Sequence, residues 1–351
     1  MTSQPTTWQN PADLLVGLQL EGGWTVAEKL TRGAQATGGH WSTSYSVASP
    51  DGKRAFLKAL DYSAAFQQSD VPRALQAMTS AFNYERDLLY RCAAMSRVVT
   101  ALADGEIREE DWLIPVNYLI FEWADGDSRA ILDTGERLDI AWCLRTLHHS
   151  AVGLMQLHGR GIAHQDVKPS NVLFFDGTGA KLADLGRSSY RPTSSPFDQH
   201  AFPGDGNYAP PELLYGEVSD EWSVRRLSAD LYQLGSLAMF FFTGTSTTQA
   251  LLARLEPAIA PQNWSGTYEA AIPFVYRAFS DAVDVLEATA PEGLQVQLAE
   301  VVRHLCDPDP SRRGHPKNRL GHTNPYALER YVSRFDLLAR KAELGLLQRP
   351  G

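Results

Sequence analysis

The sequence has only three cysteines in 351 residues, Cys92, Cys143 and Cys306. They are odd in number, far apart and set in apolar or helical contexts. This argues against a disulfide framework and a cysteine metal site, so buried thiols in a reducing compartment are expected. Long hydrophobic runs are also missing. The longest, Leu237 to Phe242, is far too short to cross a bilayer. The N-terminus, Met-Thr-Ser-Gln-Pro-Thr-Thr-Trp, has no basic stretch followed by an apolar one, so it does not read as a secretory leader. Positive charge is in deficit, with 32 Lys and Arg against 41 Asp and Glu and a net charge of −9. That balance disfavours general nucleic-acid binding and mildly favours basic substrates. Repeats and low-complexity tracts are absent. A cytoplasmic protein with neither a membrane nor a nucleic-acid partner is expected.

What is present is a globular composition, 44% apolar and 21% charged, in a chain long enough for one large two-lobed domain or two ordinary ones. The most informative stretch runs from Gly161 to Gly186. Two apolar runs, Val172 to Phe175 and Ala180 to Ala183, flank Asp176-Gly-Thr-Gly179, which is a hairpin pattern. Such a hairpin brings the loop 164–171 next to the loop 184–186. Asp166, Asn171 and Asp184 then share one mouth with Lys168. Phosphoryl transfer needs that set: a carboxylate to orient a hydroxyl, a carboxylate and an amide oxygen to hold Mg²⁺, and a lysine to offset phosphoryl charge.

The order His164-x-Asp166-x-Lys168-Pro-x-Asn171, then Asp184-x-Gly186, resembles the catalytic and metal loops of the eukaryotic-like serine/threonine protein kinases. The resemblance covers roughly residues 22–316. It implies an α+β, two-lobed protein kinase fold, with a small antiparallel-sheet lobe carrying one main helix and a larger, mostly helical lobe. The expected division is an N-terminal extension over 1–21, a small lobe over 22–123, a large lobe over 124–323 and a tail helix over 324–351. ATP is expected in the cleft between the lobes.

In the small lobe, Trp24-Thr-Val-Ala reads as a first strand, and the mildly amphipathic Leu14, Leu15, Leu18 and Leu20 as a cap before it. The cluster around Gly38 and Gly39 lets backbone N–H groups approach phosphates. It resembles the kinase glycine-rich hairpin imperfectly, with Ala36 in place of the first glycine and Ser42 near the third. Asp51-Gly52 is a turn signal between strands, and Lys58 shares a strand face with Phe56. The resemblance implies that Lys58 contacts the ATP phosphates and pairs with a helix glutamate. Phe56 stands where kinases place a small residue over adenine. Asp70 and Pro72 open a helix with Leu75, Met78, Phe82 and Leu89 at helical spacing. Glu85 is the partner expected for Lys58, with Asp87 the alternative. Val98 to Leu102 and Tyr118 to Trp123 read as strands around an acidic loop, Asp104 to Asp111. The stretch 119–127 resembles the kinase hinge: backbone near Glu122 and Ala124 for adenine, Phe121 at the back pocket, Asp127 toward the ribose. Leu173 joins the nucleotide-binding set.

In the large lobe an amphipathic helix is expected over 138–159. A hydroxyl-rich, mobile-looking loop follows Gly186. It ends at Gly204-Asp205-Gly206-Asn207-Tyr208-Ala-Pro210-Pro211-Glu212, which resembles the end of a kinase activation segment with Pro210 replacing alanine. Asp230 is expected to anchor the catalytic-loop backbone from a buried helix. Arg313 is expected to pair with Glu212, a protein-kinase feature that small-molecule kinases of the superfamily generally lack. Asn324-Pro325 caps a tail helix whose stripe Tyr331, Phe335 and Leu338 packs on the large lobe or, alternatively, binds a partner. Gln165 replaces the usual arginine. With no uncompensated cation there, activity is expected not to require activation-loop phosphorylation. The function implied is ATP- and Mg²⁺-dependent transfer to serine or threonine of a protein. The alternatives are a nucleotide-binding pseudokinase, on the thinned glycine loop and Phe56, and a small-molecule phosphotransferase, on Asp205 where threonine is usual.

Overall fold

The structure, a computed structural model, describes residues 9–31, 41–129, 139–320 and 324–346. The chain separates into two compact units, residues 1–94 with 99–125 and residues 95–98 with 126–351.

The first unit is built on strands β1 (Thr25–Lys29), β2 (Ser42–Ala48) and β3 (Arg54–Leu60), helix α1 (Val71–Arg91), and strands β4 (Ala101–Ile107) and β5 (Val116–Glu122). The strands form one antiparallel sheet in the order β1-β2-β3-β5-β4. Alternation along β3 sorts its side chains between the two faces. Ala55, Leu57 and Ala59 join Tyr45, Val47, Tyr118 and Ile120 in a buried cluster, closed by Ala12, Leu15 and Leu20 from the N-terminal segment. The Tyr45 hydroxyl donates to the Ala12 carbonyl at 2.6 Å, fixing that segment to the sheet. The opposite face carries Phe56 and Lys58, with Phe121 and Leu119 directly across on β5.

Helix α1 starts where its capping residues place it. The Asp70 side chain accepts from the Arg73 N–H at 3.1 Å, and Pro72 occupies the first turn. Its buried stripe is Met78, Phe82, Glu85, Leu88 and Leu89. Strand β4 differs from expectation. It begins at Ala101 and runs through Asp104 and Glu106, residues expected in a loop. It is the sheet's edge strand, and an edge strand can carry charged side chains into water while its backbone pairs on the other side.

The second unit contains β6 (Gly126–Asp127), α2 (Ile140–His158), β7 (Ile162–Ala163), β8 (Val172–Phe175), β9 (Gly179–Leu182) and β10 (Ser189–Tyr190). Strands β6, β8 and β9 form one small sheet, and β7 pairs with β10. Helices α3 (Pro211–Leu214), α4 (Ser228–Thr243), α5 (Thr247–Leu252), α6 (Tyr268–Thr289), α7 (Gln295–Leu305), α8 (Pro316–Arg319) and α9 (Glu329–Glu343) follow. A π-type turn over Ser223–Leu227 leads into α4. Almost every residue of α4 is buried, and it packs against α2, α6 and α7. Gly235 lets α7 come close, because a Cβ there would lie 2.8 Å from that of Leu305. All three cysteines are buried thiols. Among the described residues no helix is long and apolar enough to cross a membrane.

The tail helix also departs from expectation at its start. Asn324 accepts from the Tyr326 N–H at 3.0 Å in a local turn, and α9 begins only at Glu329, after Leu328. Its stripe of Tyr331, Phe335 and Leu338 is buried. The helix packs on α2, where Arg145 reaches Asp336 at 2.7 Å and Glu343 at 2.8 Å.

Candidate active site

The hairpin expected between 172 and 182 forms, with Val172 opposite Leu182 and Phe175 opposite Gly179. It joins two loops whose key residues, Gln165 (φ 66°) and Asp184 (φ 64°), both lie in the left-handed region. For residues other than glycine that conformation costs about 1–3 kcal/mol and persists only where surrounding contacts over-determine it. At Gln165 those contacts come largely from α4. Asp230 accepts from the backbone N–H of His164 at 2.7 Å and of Gln165 at 2.8 Å. Gln233 donates to the Gln165 carbonyl and accepts from the Val167 N–H, both at 3.0 Å. His158 completes the cradle with Nε2 at 2.8 Å from Asp230. The Asp230 anchor was legible in the sequence. Gln233 was missed, although it lies three residues on and therefore on the same helix face.

The cradle presents Asp166, whose side chain is nearly buried and spoken for at both oxygens. Oδ1 accepts from the Asp205 N–H at 2.9 Å. Oδ2 accepts from Asn171 Nδ2 at 2.9 Å and lies 3.1 Å from Lys168 Nζ. Burial raises the Asp166 pKa above the usual carboxylate range; the Lys168 charge opposes this and the Asp184 charge adds to it. Asn171 also donates to the Asp166 carbonyl at 2.8 Å, which turns its amide oxygen away from Asp166. Asp184 follows directly on Ala183, whose N–H bonds the Asn171 carbonyl at 2.9 Å. Thus Asp166, Lys168 and Asn171 are in direct contact, and Asp184 is carried on the adjoining loop.

An amide oxygen and a carboxylate are hard oxygen donors of the kind Mg²⁺ takes. Among the described residues no group of three or more His, Cys, Asp and Glu could hold a metal. The donors therefore fit a cation held by one or two side chains together with substrate phosphates rather than by an all-protein cage.

In the first unit Lys58 Nζ lies 2.8 and 3.0 Å from the two Glu85 carboxylate oxygens. Asp87, the alternative, is exposed and pairs with Arg86 at 3.0 Å. Phe56 lies beside Phe121, with ring centroids 6.3 Å apart. Glu122 turns its carboxylate back to the Thr100 N–H at 2.7 Å, and Ala124 follows just past the end of β5. In the second unit Asp127 is opposite Leu173 in the β6–β8 pair and accepts from the Arg129 N–H at 2.8 Å. Gly38 and Gly39 lie outside the described residues.

The hydroxyl-rich segment after Gly186 is tied down at three of its serines. Ser188, Ser189 and Ser195 are buried, and their hydroxyls bond His164 O at 3.2 Å, Asp198 Oδ1 at 3.4 Å and Ser188 O at 3.1 Å. A buried cation does stand beside Gln165, and it is already compensated. Arg226, 2% exposed, donates to Gln165 Oε1 at 3.2 Å. Burial pulls its pKa down, while Asp198, 3.3 Å away, supplies an opposing negative charge. Asp198 also accepts from the Ser195 N–H at 2.6 Å, so the counter-charge belongs to the segment itself. Gly204 then passes so close that a Cβ there would overlap the Gln165 carbonyl.

Farther along, Arg313 forms a two-pronged pair with Glu212, at 2.8 and 2.9 Å, with both side chains buried.

A protein kinase domain model matches residues 46–323. The chain belongs to the protein kinase family. Its fold is the two-lobed α+β fold of protein kinases. Its relatives include the human serine/threonine-protein kinase MAK, 25% identical over 228 residues that make up 63% of this chain and 34% of that protein. A mitogen-activated protein kinase homolog of Nicotiana tabacum is 27% identical over 203 residues, 54% of this chain and 53% of that one. A Wee1-like protein kinase of Oryza sativa is 28% identical over 191 residues, 54% of this kinase-family chain and 30% of that one. The matched stretch therefore spans about half or less of these relatives' own length.

Proposed function

We propose that this kinase-family chain is an active ATP- and Mg²⁺-dependent protein kinase that phosphorylates serine or threonine hydroxyls of a protein. The observation that carries this reading is the bonded set of Asp166, Lys168 and Asn171 on a backbone held in a strained conformation. Asp166 orients the acceptor hydroxyl and takes its proton as the new P–O bond forms and the bond to the β–γ bridging oxygen breaks. Lys168 offsets charge on the moving phosphoryl group. Lys58, held by Glu85, neutralises ATP phosphate charge. Asn171 and Asp184 would hold Mg²⁺, which when bound offsets phosphate charge and orients the phosphate chain. Phe56, Phe121, Leu173 and Asp127, with backbone near Glu122 and Ala124, are the groups assigned to the nucleoside. Lys168 resembles the serine/threonine-specific group. The Glu212–Arg313 pair favours a protein substrate over a small molecule.

Incubation with labelled Mg-ATP and generic basic proteins, followed by phosphosite mapping, tests the reading. Phosphoserine or phosphothreonine on the added protein supports it. Tight nucleotide binding with no transfer would replace it with the pseudokinase reading. Lys58→Met is expected to lower the rate about 10²-fold or more, the usual effect of removing one charge-stabilising donor.

The Asp198–Arg226 pair yields a further expectation. Thr193 and Ser194 are exposed, so alanine at both should leave the rate within about twofold, as surface changes usually do. Asp198→Asn strips the nearest carboxylate from a buried guanidinium, and transfer should fall at least about tenfold as the segment loosens. A large loss in the Thr193/Ser194 variant, restored by acidic replacements, would show that phosphorylation switches the enzyme on.

A further inference from the structure

Asp205 is the residue whose placement the reaction above does not use. It caps the short turn Gly206–Tyr208, with Oδ1 accepting from the Asn207 N–H at 3.0 Å. Its own N–H holds Asp166, and its other carboxylate oxygen lies 3.6 Å from Lys168 Nζ. Lys168 therefore stands between two carboxylates, with Asp166 at 3.1 Å. Both Lys168 and Asp166 are nearly buried, whereas the Asp205 side chain keeps 14% of its surface exposed. Among the described residues, Lys168 is the one cation paired with Asp205.

Two carboxylates on one ammonium leave a net negative charge at the place where an acceptor hydroxyl must meet Asp166. They also divide the attraction of Lys168, which is needed for the phosphoryl group. A cation arriving with the acceptor answers both problems: it pairs with Asp205 and leaves Lys168 to the reacting groups. We infer that Asp205 is a specificity-determining residue that selects serine or threonine flanked by arginine or lysine. This rests on the protein-kinase reading and names its substrate class. The attraction operates near buried groups, where charges interact more strongly than in bulk water. It also acts on the acceptor as it is positioned for reaction, so it enters kcat/KM.

The test uses two peptides that differ only at the residues on either side of a single serine, arginine in one and glutamine in the other. The wild-type protein is expected to favour the arginine peptide roughly tenfold or more in kcat/KM, and to lose part of that preference in high salt. In Asp205→Asn the amide oxygen can still cap Asn207 and the backbone N–H can still hold Asp166, so only the charge is removed. The ratio between the peptides should then fall to about one. Asp205→Thr serves as a second variant, with the same collapse of the ratio expected. Equal wild-type rates on the two peptides, or a preference that survives in both variants, would overturn the inference and leave the kinase reading standing. Transfer to neither peptide and to no basic protein would overturn both.

Discussion

Asp166→Ala is expected to lower phosphoryl transfer about 10²–10⁴-fold, the range for loss of a positioned acid–base group, while Mg-ATP still binds. The reason lies in the bonds around the carboxylate. Asn171, Lys168 and the Asp205 N–H all converge on it, so its two oxygens are held where an acceptor would meet them. On the proposed reading, removing it takes away the group that orients the hydroxyl, whereas nucleotide affinity would rest on Lys58 and on the cation donors. Alanine also releases Lys168 and Asn171, so Asp166→Asn is the companion variant that keeps size and shape. Both should be slow, and both should retain nucleotide binding in a fluorescence titration. Asp184→Ala should differ by weakening Mg²⁺-dependent nucleotide binding as well. A wild-type initial rate in Asp166→Ala would remove Asp166 from the reaction altogether.

Arg313→Met is expected to cost the fold about 3–5 kcal/mol, the usual penalty for breaking a buried ion pair from one side. Arg313 has no exposed surface, and beyond Glu212 it donates to the carbonyls of Asp307 and Ser228. Deleting it leaves the Glu212 carboxylate buried without its partner. For a unit of this size the loss corresponds to a melting temperature roughly 6–20 °C lower. The double variant Arg313→Met with Glu212→Leu removes both charges and should recover much of that loss, because a hydrophobic pair avoids the desolvation cost. Calorimetry on the four proteins of the cycle measures this. A double variant as unstable as the single one would mean that the carbonyl contacts, and not the ion pair, hold this region.

Much of the candidate site could be read from residues close together in sequence. The 164–171 loop, the hairpin and Asp184 lie within a short stretch, so spacing alone brought the loops together. The periods of two along β3 and 3.6 along α1 placed Lys58 and Glu85 on their faces, and the kinase resemblance implied that they pair. What could not be read depends on contacts without a local signature. Asp198, Arg226 and Gln165 form one network from separate segments, and no pattern marks Arg226 as buried. The serines after Gly186 read as part of a hydroxyl-rich, mobile-looking loop, because serine is usually exposed. Their burial follows from partners such as Trp222, which donates to the Ser189 hydroxyl at 3.0 Å. Strand β4 was displaced in the reading because the charged residues of an edge strand resemble those of a loop.

The segment around Ala12 and Leu15 bears on how this protein can be cut. The stretch that matches the family begins at residue 46, partway along β2, and ends at residue 323, before α9. A fragment trimmed to those limits would lack β1 and would uncover Ala55, Leu57 and Ile120 on one sheet face. It would also lay bare the surface of α2 that the tail helix covers. Such a fragment is expected to aggregate during expression, whereas one that retains Ala12, Leu15, β1 and α9 keeps both coverings. Limited proteolysis of the full chain should likewise spare Ala12 and Leu15, despite their place near an end, because a protease needs accessible, unpaired backbone more than it needs a terminus.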